Sequence, residues 1–297
     1  MESRPDRPAR PTDPGPAPAT TLPAPIARRL QHLGLPARSF RDVTARPGRR
    51  PTRLTLRIEL TDGRLLKARL LHRDGVAERM RTWLPRLDAR HFPRLVDAAD
   101  RVSLEEWREG SPAPAGDTGV VAVAGAMLGA LHALVEPERL PVEDPRRQAW
   151  TRRLHECIER LHRAGHLPQA DRVRRRLAAD PPTQALWGLT HGDLCLENLV
   201  VCPPPAGDGG LCCIDNCSVA PGFLEADLAR SILRWPLTAG EREGFLAPHD
   251  LRAGGTGYAE HADHWQLAAA LRSADWRLRE GCDGLEFALA EVHRQVG

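Results

Sequence analysis

Two runs near the start of the chain carry its clearest hydrophobic pattern. From Leu54 to Leu60 apolar residues alternate with Thr, Arg and Glu, and after an Asp-Gly pair residues 64–71 return with a second alternating run. A period of two on both sides of Asp-Gly predicts an antiparallel β-hairpin. On the return strand this period places Lys67 on the face opposite to Leu66 and Ala68.

The remaining patterns divide the chain into a strand-rich first part and a helix-rich second part. Apolar residues three to four apart predict helices over 26–35, 76–87, 150–161 and 267–278. Short strands are predicted over 95–107 and in one later island, 187–214. The apolar run at 119–135 is too short to span a bilayer comfortably and contains a histidine, so we expect a buried helix and no membrane partner.

The composition of the chain bears on its location and on its partners. Residues 1–25 are rich in proline and lack the apolar stretch of a secretory signal, which predicts a disordered leader. Seven cysteines, an odd number at irregular spacing, favour reduced thiols and a cytoplasmic protein. A net charge of +3 gives no ground for a nucleic-acid partner.

One residue stands out among the 42 basic side chains, because Lys67 is the only lysine. A compact ammonium and a planar guanidinium are not interchangeable at a phosphate, so this lysine is a candidate phosphate ligand. The predicted helix after the hairpin carries Glu78, the only glutamate between Thr61 and Leu104. A lysine on a strand and a glutamate on the next helix are placed to form an ion pair.

Polar residues interrupt two apolar segments of the later island, LTHGDLCLENLVV at 189–201 and LCCIDNC at 211–217. Asp193, Asn198 and Asp215 offer two carboxylates and a carboxamide, which suits a hard-oxygen site for Mg²⁺ with one carboxylate left as a general base. The alternative is that these residues only cap turns, where Asp and Asn are common.

These segments resemble a known family. HGDLCLEN is similar to the HGDxxxxN catalytic loop of the aminoglycoside phosphotransferase and choline kinase family, relatives of the protein kinases. IDNC resembles the family's metal-binding aspartate segment, and ADLA at 226–229 its later D-L-A segment. The resemblance covers most of residues 26–230 and depends on these motifs occurring in the family's order.

The resemblance implies an α+β fold of the two-lobed protein kinase-like type. A small antiparallel-sheet lobe over 26–107 would bind nucleotide, and a mainly helical lobe over 108–297 would hold the catalytic loop and the acceptor, with ATP and Mg²⁺ in the cleft. The phosphate-covering loop would fall near residues 44–52, where the sequence has only Gly48 among two prolines and several arginines.

The resemblance also implies a role for each candidate residue. Asp193 would accept or orient the proton of the acceptor hydroxyl, and Asn198 and Asp215 would hold Mg²⁺. Lys67 would contact the α- and β-phosphates and be steadied by Glu78. Leu65, Glu106 and Trp107 would lie near the adenine. His191 and Asp227 would support the conformation of the catalytic loop.

The function that follows is transfer of the γ-phosphoryl group of ATP to a hydroxyl of a small molecule. After Gly222 acidic residues outnumber arginines, which favours a cationic acceptor such as an aminoglycoside or an amino alcohol. Two alternatives stay open: a non-catalytic nucleotide-binding scaffold, suggested by the glycine-poor phosphate loop, and a kinase acting on peptide Ser or Thr. The acceptor and the oligomeric state cannot be deduced from the sequence.

Overall fold

The computed structural model describes residues 21–44, 54–203, 210–235 and 237–297. Most of the predicted leader and nearly all of the predicted phosphate-covering loop lie outside these ranges. The predicted boundary between two lobes at residues 107 and 108 stays a prediction.

The N-terminal part of the chain is a five-stranded antiparallel sheet with a helix packed on it. Its strands have the order β1-β2-β3-β5-β4. Its elements are α1 Ala24–His32, β1 Ala37–Asp42, β2 Thr55–Leu60, β3 Leu65–Leu70, β4 Leu95–Ala99 and β5 Val102–Glu106. The predicted first helix and hairpin are confirmed, whereas β1 was not predicted because its mostly exposed sequence ARSFRD has no apolar alternation.

The two faces of the hairpin have different environments. Leu66 and Ala68 of β3 are buried with Ile58 of β2 and Ile26 of α1 in a separate small core. Burial of this apolar row stabilises the sheet. Lys67 lies on the opposite face and is only 6% exposed, because the C-terminal part of the chain covers it. The predicted orientation of Lys67 is therefore confirmed.

The C-terminal part is mainly helical and contains the larger core. Its helices are α3 Thr118–His132, α4 Pro145–Arg163, α5 Ala170–Ala179, α6 Leu224–Arg234, α7 Ala239–Ala253, α8 Ala262–Glu280 and α9 Leu285–Val296. The helix α2 Val76–Trp83 precedes β4 and buries Val76 and Met80 in the same core. The predicted α+β class, with strands first and helices later, is confirmed.

Two three-stranded sheets interrupt the helices and carry the polar island. One has the order β10-β9-β6 and the other β11-β8-β7. Their strands are β6 Ser111–Pro112, β7 Glu138–Leu140, β8 Ala185–Thr190, β9 Leu199–Val201, β10 Leu211–Cys213 and β11 Ala220–Phe223. The loop between β8 and β9 and the end of β10 therefore lie near each other.

The helix α3 is buried, as predicted, and packs closely on α7. A Cβ atom at Gly125 would lie 2.0 Å from the Phe245 carbonyl oxygen, so only glycine permits this approach of the two backbones. Among the described residues, none of the helices combines the length and the hydropathy that crossing a bilayer would require.

Candidate active site

The loop between β8 and β9 begins with His191, Gly192 and Asp193, and a buried carboxylate determines its conformation. Asp227, in the first turn of α6, accepts hydrogen bonds from the backbone N–H of His191 at 2.6 Å and of Gly192 at 2.8 Å. Gly192 has φ +76°, a conformation that favours glycine. Burial opposes ionisation of Asp227, but hydrogen bonding to His132 keeps its pKa below the usual value. The supporting role predicted for Asp227 agrees with this geometry.

Asn198 closes the same loop onto Asp193. Its Nδ2 donates to the Asp193 carbonyl oxygen at 2.9 Å and lies 3.4 Å from Asp193 Oδ2. A short 3₁₀ turn at Leu196–Asn198 makes this contact possible across five residues of sequence. With Nδ2 used in this way, the carbonyl oxygen Oδ1 of Asn198 is the end available to a cation.

Asp215 is brought to this loop by the pairing of β9 with β10. Cys213 pairs with Leu199, and the Ile214 N–H donates to the Asn198 carbonyl oxygen at 2.8 Å. Asp215 therefore directly follows Ile214, which is hydrogen-bonded to the end of the loop between β8 and β9. Hydrogen bonds thus link Asn198 both to Asp193 and to the residue before Asp215, and a shared role of these three residues stays a prediction.

Lys67 reaches this group from the opposite sheet. Its Nζ donates to the carbonyl oxygen of Ile214, the neighbour of Asp215, although 147 residues separate donor and acceptor along the chain. Two residues further along β3, Arg69 Nη1 lies 2.5 Å from Asp215 Oδ1. Two cations on one face of β3 thus contact the segment that directly follows β10.

The prediction that Glu78 pairs with Lys67 is wrong. The carboxylate beside Lys67 belongs to Glu105, whose Oε1 lies 3.8 Å from Nζ, whereas Glu78 is exposed on α2. The reason is strand register: β3 pairs with β5 so that Lys67 and Glu105 are direct cross-strand neighbours. Helix α2 turns Val76 and Met80 into the core, which leaves Glu78 on its outer side.

Leu65, Glu106 and Trp107 meet where β3 and β5 lie side by side. The N–H of Trp107 donates to the Leu65 carbonyl oxygen at 2.9 Å, and the N–H of Glu106 donates to the Arg94 carbonyl oxygen at 2.9 Å. These two amides are therefore already paired within the N-terminal part and do not serve as donors to a base. Contact of these three residues with adenine, through side chains or carbonyl groups, remains a prediction.

Two arginines that the sequence analysis did not single out contact Asp193. Arg230 Nη2 lies 2.9 Å and Arg234 Nη1 2.7 Å from Asp193 Oδ1. Both are on α6, three and seven residues after Asp227, so one helix face supports the loop and also contacts its carboxylate. The spacing of Asp227, Arg230 and Arg234 within DLARSILR indicates that they share one helix face. Which residues this face contacts depends on where α6 packs.

The electrostatics around Asp215 are set by its basic neighbours. Burial alone would raise the pKa of Asp215, but Arg69 and Lys67 outweigh it and hold the pKa well below its usual value. Burial next to Asp215 raises the pKa of the Cys217 thiol to about 11, so the thiol keeps its proton and donates to Asp215 Oδ1 at 3.3 Å. One oxygen of Asp215 thus has two donors.

The donor set suits a hard divalent cation. Asp215 supplies a carboxylate and Asn198 a carboxamide oxygen, and the hydrogen bond between Ile214 and Asn198 fixes their backbones side by side. Throughout the described ranges, no three His, Cys, Asp or Glu side chains are grouped to hold a metal ion. A site on this pair would therefore need oxygens from water and from a bound phosphate to complete its coordination.

The chain belongs to the Phosphotransferase enzyme family, whose profile matches residues 38–264. That family membership makes it a phosphotransferase and agrees with the resemblance read from the motifs. No match was found among curated proteins.

Solved structures with a kinase-like fold superpose on nearly the whole chain. Choline kinase LicA from Streptococcus pneumoniae has 15% identity and a TM-score of 0.64, with 91% of this chain and 96% of that chain covered. Macrolide 2'-phosphotransferase MphH from Brachybacterium faecium has 20% identity and a TM-score of 0.59, with 90% and 97% covered. The amicoumacin kinase hAmiN, solved with AMP-PNP and Ca²⁺, has 13% identity and a TM-score of 0.61, with 91% of each chain covered. The predicted two-lobed kinase-like fold is confirmed.

Proposed function

We propose that the protein transfers the γ-phosphoryl group of ATP to a hydroxyl group of a small molecule, with Mg²⁺ as the metal. The observation that carries this proposal is the meeting of Lys67 with the segment that bears Asp215, next to the loop of Asp193 and Asn198. Phosphoryl transfer needs positioning and charge neutralisation rather than protein-bound intermediates. The four residues supply a cation, two carboxylates and an amide in one place.

Asp193 is the proposed general base. The acceptor hydroxyl gives its proton to a carboxylate oxygen of Asp193 as its oxygen bonds to the γ-phosphorus and ADP departs. Asn198 fixes the loop on one side, and Arg230 and Arg234 hold Oδ1 on the other. These contacts fix the position of the Asp193 carboxylate.

Lys67 and the cation-binding pair would act on the donor. Lys67, held beside Glu105, would bind phosphate oxygens. Asp215 and Asn198 would hold Mg²⁺, which when bound supplies neutralisation of phosphate charge. A solved relative of the same fold was crystallised with AMP-PNP and Ca²⁺, which supports a nucleotide and a divalent cation in this cleft.

The acceptor is proposed only as a small hydroxylated molecule. Solved structures of this fold include choline kinases and macrolide phosphotransferases, which act on such molecules. The acidic excess after Gly222 gives less support to a cationic acceptor than the sequence alone suggested. Many of these acids have internal partners, as in Asp275 with Arg160, and two basic residues of the same region contact the base.

The test is ADP release with a panel of choline, ethanolamine, aminoglycosides, macrolides, sugars and Ser- or Thr-containing peptides. One or more small hydroxylated compounds should stimulate ADP release in a Mg²⁺-dependent manner. Asp193→Asn should lower kcat by about 10²- to 10⁴-fold while ATP still binds, because a positioned base contributes that much.

The matched control is Asp74→Asn, since the Asp74 side chain is 95% exposed and should leave turnover unchanged. Transfer to peptides alone would replace the small-molecule assignment with a protein kinase. A folded protein that binds ATP but transfers phosphate to no compound would favour the scaffold.

A further inference from the structure

Two cations, rather than one, extend from β3 toward the end of β10. Lys67 and Arg69 are two residues apart, so the strand period puts both side chains on the same face. Lys67 Nζ bonds to the Ile214 carbonyl oxygen, and Arg69 Nη1 lies 2.5 Å from Asp215 Oδ1. Lys67 has a role in the proposed phosphoryl transfer, whereas Arg69 has none so far.

The neighbouring strands hold Arg69 in this position. Its side chain is 16% exposed, its backbone pairs with Thr55 of β2 and Ser103 of β5, and its Nε lies 3.4 Å from Thr55 Oγ1. Burying a guanidinium requires compensation by an opposite charge. Asp215 provides that charge, so the pair is a stable feature of the fold and not a surface contact.

The ion pair uses one of the two carboxylate oxygens with which Asp215 could bind a metal. Asp215 Oδ1 accepts from Arg69 Nη1 and from the Cys217 thiol, which occupies both lone pairs of that oxygen. A divalent cation on Asp215 would also lie close to a positive guanidinium, and the two would repel. A nucleotide changes this competition between Arg69 and the cation for Asp215, because its phosphates offer Arg69 new anionic partners.

We propose that Arg69 is a second phosphate-binding cation of β3, and that its ion pair with Asp215 makes divalent-metal binding depend on bound nucleotide. The metal and the nucleotide then enter the site as a unit, with Arg69 moving from the carboxylate to a phosphate. This inference rests on the proposed role of Asp215 as a metal ligand.

The experiment measures binding of Mn²⁺ to the full chain by electron paramagnetic resonance, without an acceptor and therefore independently of turnover. In the wild type, ATP should strengthen Mn²⁺ binding well beyond the affinity of ATP itself for the metal. In Arg69→Gln, Mn²⁺ without nucleotide should bind about tenfold or more tightly than in the wild type, because the competing charge is gone. Binding of ATP in EDTA, followed by calorimetry, should weaken in the same variant.

Three further variants test whether the change in Mn²⁺ affinity comes from the charge of Arg69. Arg64→Gln removes an exposed arginine in the turn before β3, whose side chain pairs with Asp62 of the same turn, and should match the wild type. Arg69→Gln combined with Asp215→Asn should lose the gain in Mn²⁺ affinity. Arg69→Lys keeps the buried charge, and should bind Mn²⁺ as weakly as the wild type even if Arg69→Gln folds poorly.

The outcomes separate this inference from the proposed function. Equal Mn²⁺ affinity of wild type and Arg69→Gln, with Asp215→Asn abolishing ATP-dependent Mn²⁺ binding, would overturn the role of Arg69 and leave Asp215 as the metal ligand. Unchanged Mn²⁺ binding in Asp215→Asn with ATP would overturn both the metal assignment and this inference.

Discussion

Replacing Glu105 with glutamine should lower the free energy of unfolding by about 3 kcal/mol and weaken ATP binding. The Glu105 carboxylate is completely buried, and among the described residues neither of its oxygens has a hydrogen-bond donor. Lys67 is its ion-pair partner, with Nζ 3.8 Å from Oε1, and Arg69 also lies near enough to interact with its charge. The variant keeps the shape of the side chain and replaces the carboxylate by a neutral amide.

The magnitude follows from the distance and the burial. Two unit charges 3.8 Å apart attract by about 4 kcal/mol at an effective dielectric constant of about 20. Removing one partner of a buried pair costs about 3–5 kcal/mol because the remaining charge stays desolvated. We expect the lower end of that range, because Lys67 keeps its hydrogen bond to the Ile214 carbonyl oxygen.

Urea unfolding at neutral pH measures the stability, and a double-mutant cycle with Lys67→Met isolates the coupling of the pair. The matched control is Glu78→Gln, at an exposed position on α2, which should change stability by less than about 0.5 kcal/mol. The KM for ATP should rise in Glu105→Gln and stay constant in Glu78→Gln. Equal effects of the two glutamine variants, or a larger effect at Glu78, would refute the assignment of Glu105 as the partner of Lys67.

Two further predictions concern the support of the loop and the packing of the helices. Because the pKa of Asp227 is lowered in the folded protein, its contribution to stability is present at neutral pH and is lost as the pH falls below about 4. The stabilities of the wild type and Asp227→Asn, measured by urea unfolding, should therefore converge on acidification, and a constant difference between them would contradict this. Gly125→Ala should destabilise the protein by about 1–3 kcal/mol, since its Cβ would overlap the Phe245 carbonyl group. Thermal unfolding checks this against Gly240→Ala, where a Cβ atom meets nothing within 4 Å, and equal midpoints would contradict the close packing.

Local patterns predicted much of the fold. The hairpin and α1 follow from periods of two or of three to four residues, and the buried α3 follows from a continuous apolar run. A short segment contains each of these patterns in itself. Strand β1 and the short β11 escaped prediction, because a strand with few buried side chains leaves little pattern. Their formation depends on hydrogen bonds to neighbouring strands, which the sequence does not display.

By itself the sequence determined which groups are candidates for the site, because the HGDLCLEN loop and the segment of Asp215 are short motifs that can be identified along the chain. Tertiary structure decided how those groups are neutralised. Arg69 meets Asp215 across 146 residues, and Arg234 meets Asp193 across 41. Tertiary structure also placed Glu105, and not Glu78, beside Lys67, although both glutamates follow Lys67 in the sequence. The physical reason is that an ion pair depends on distance in space, which strand register and helix packing set and spacing along the chain does not.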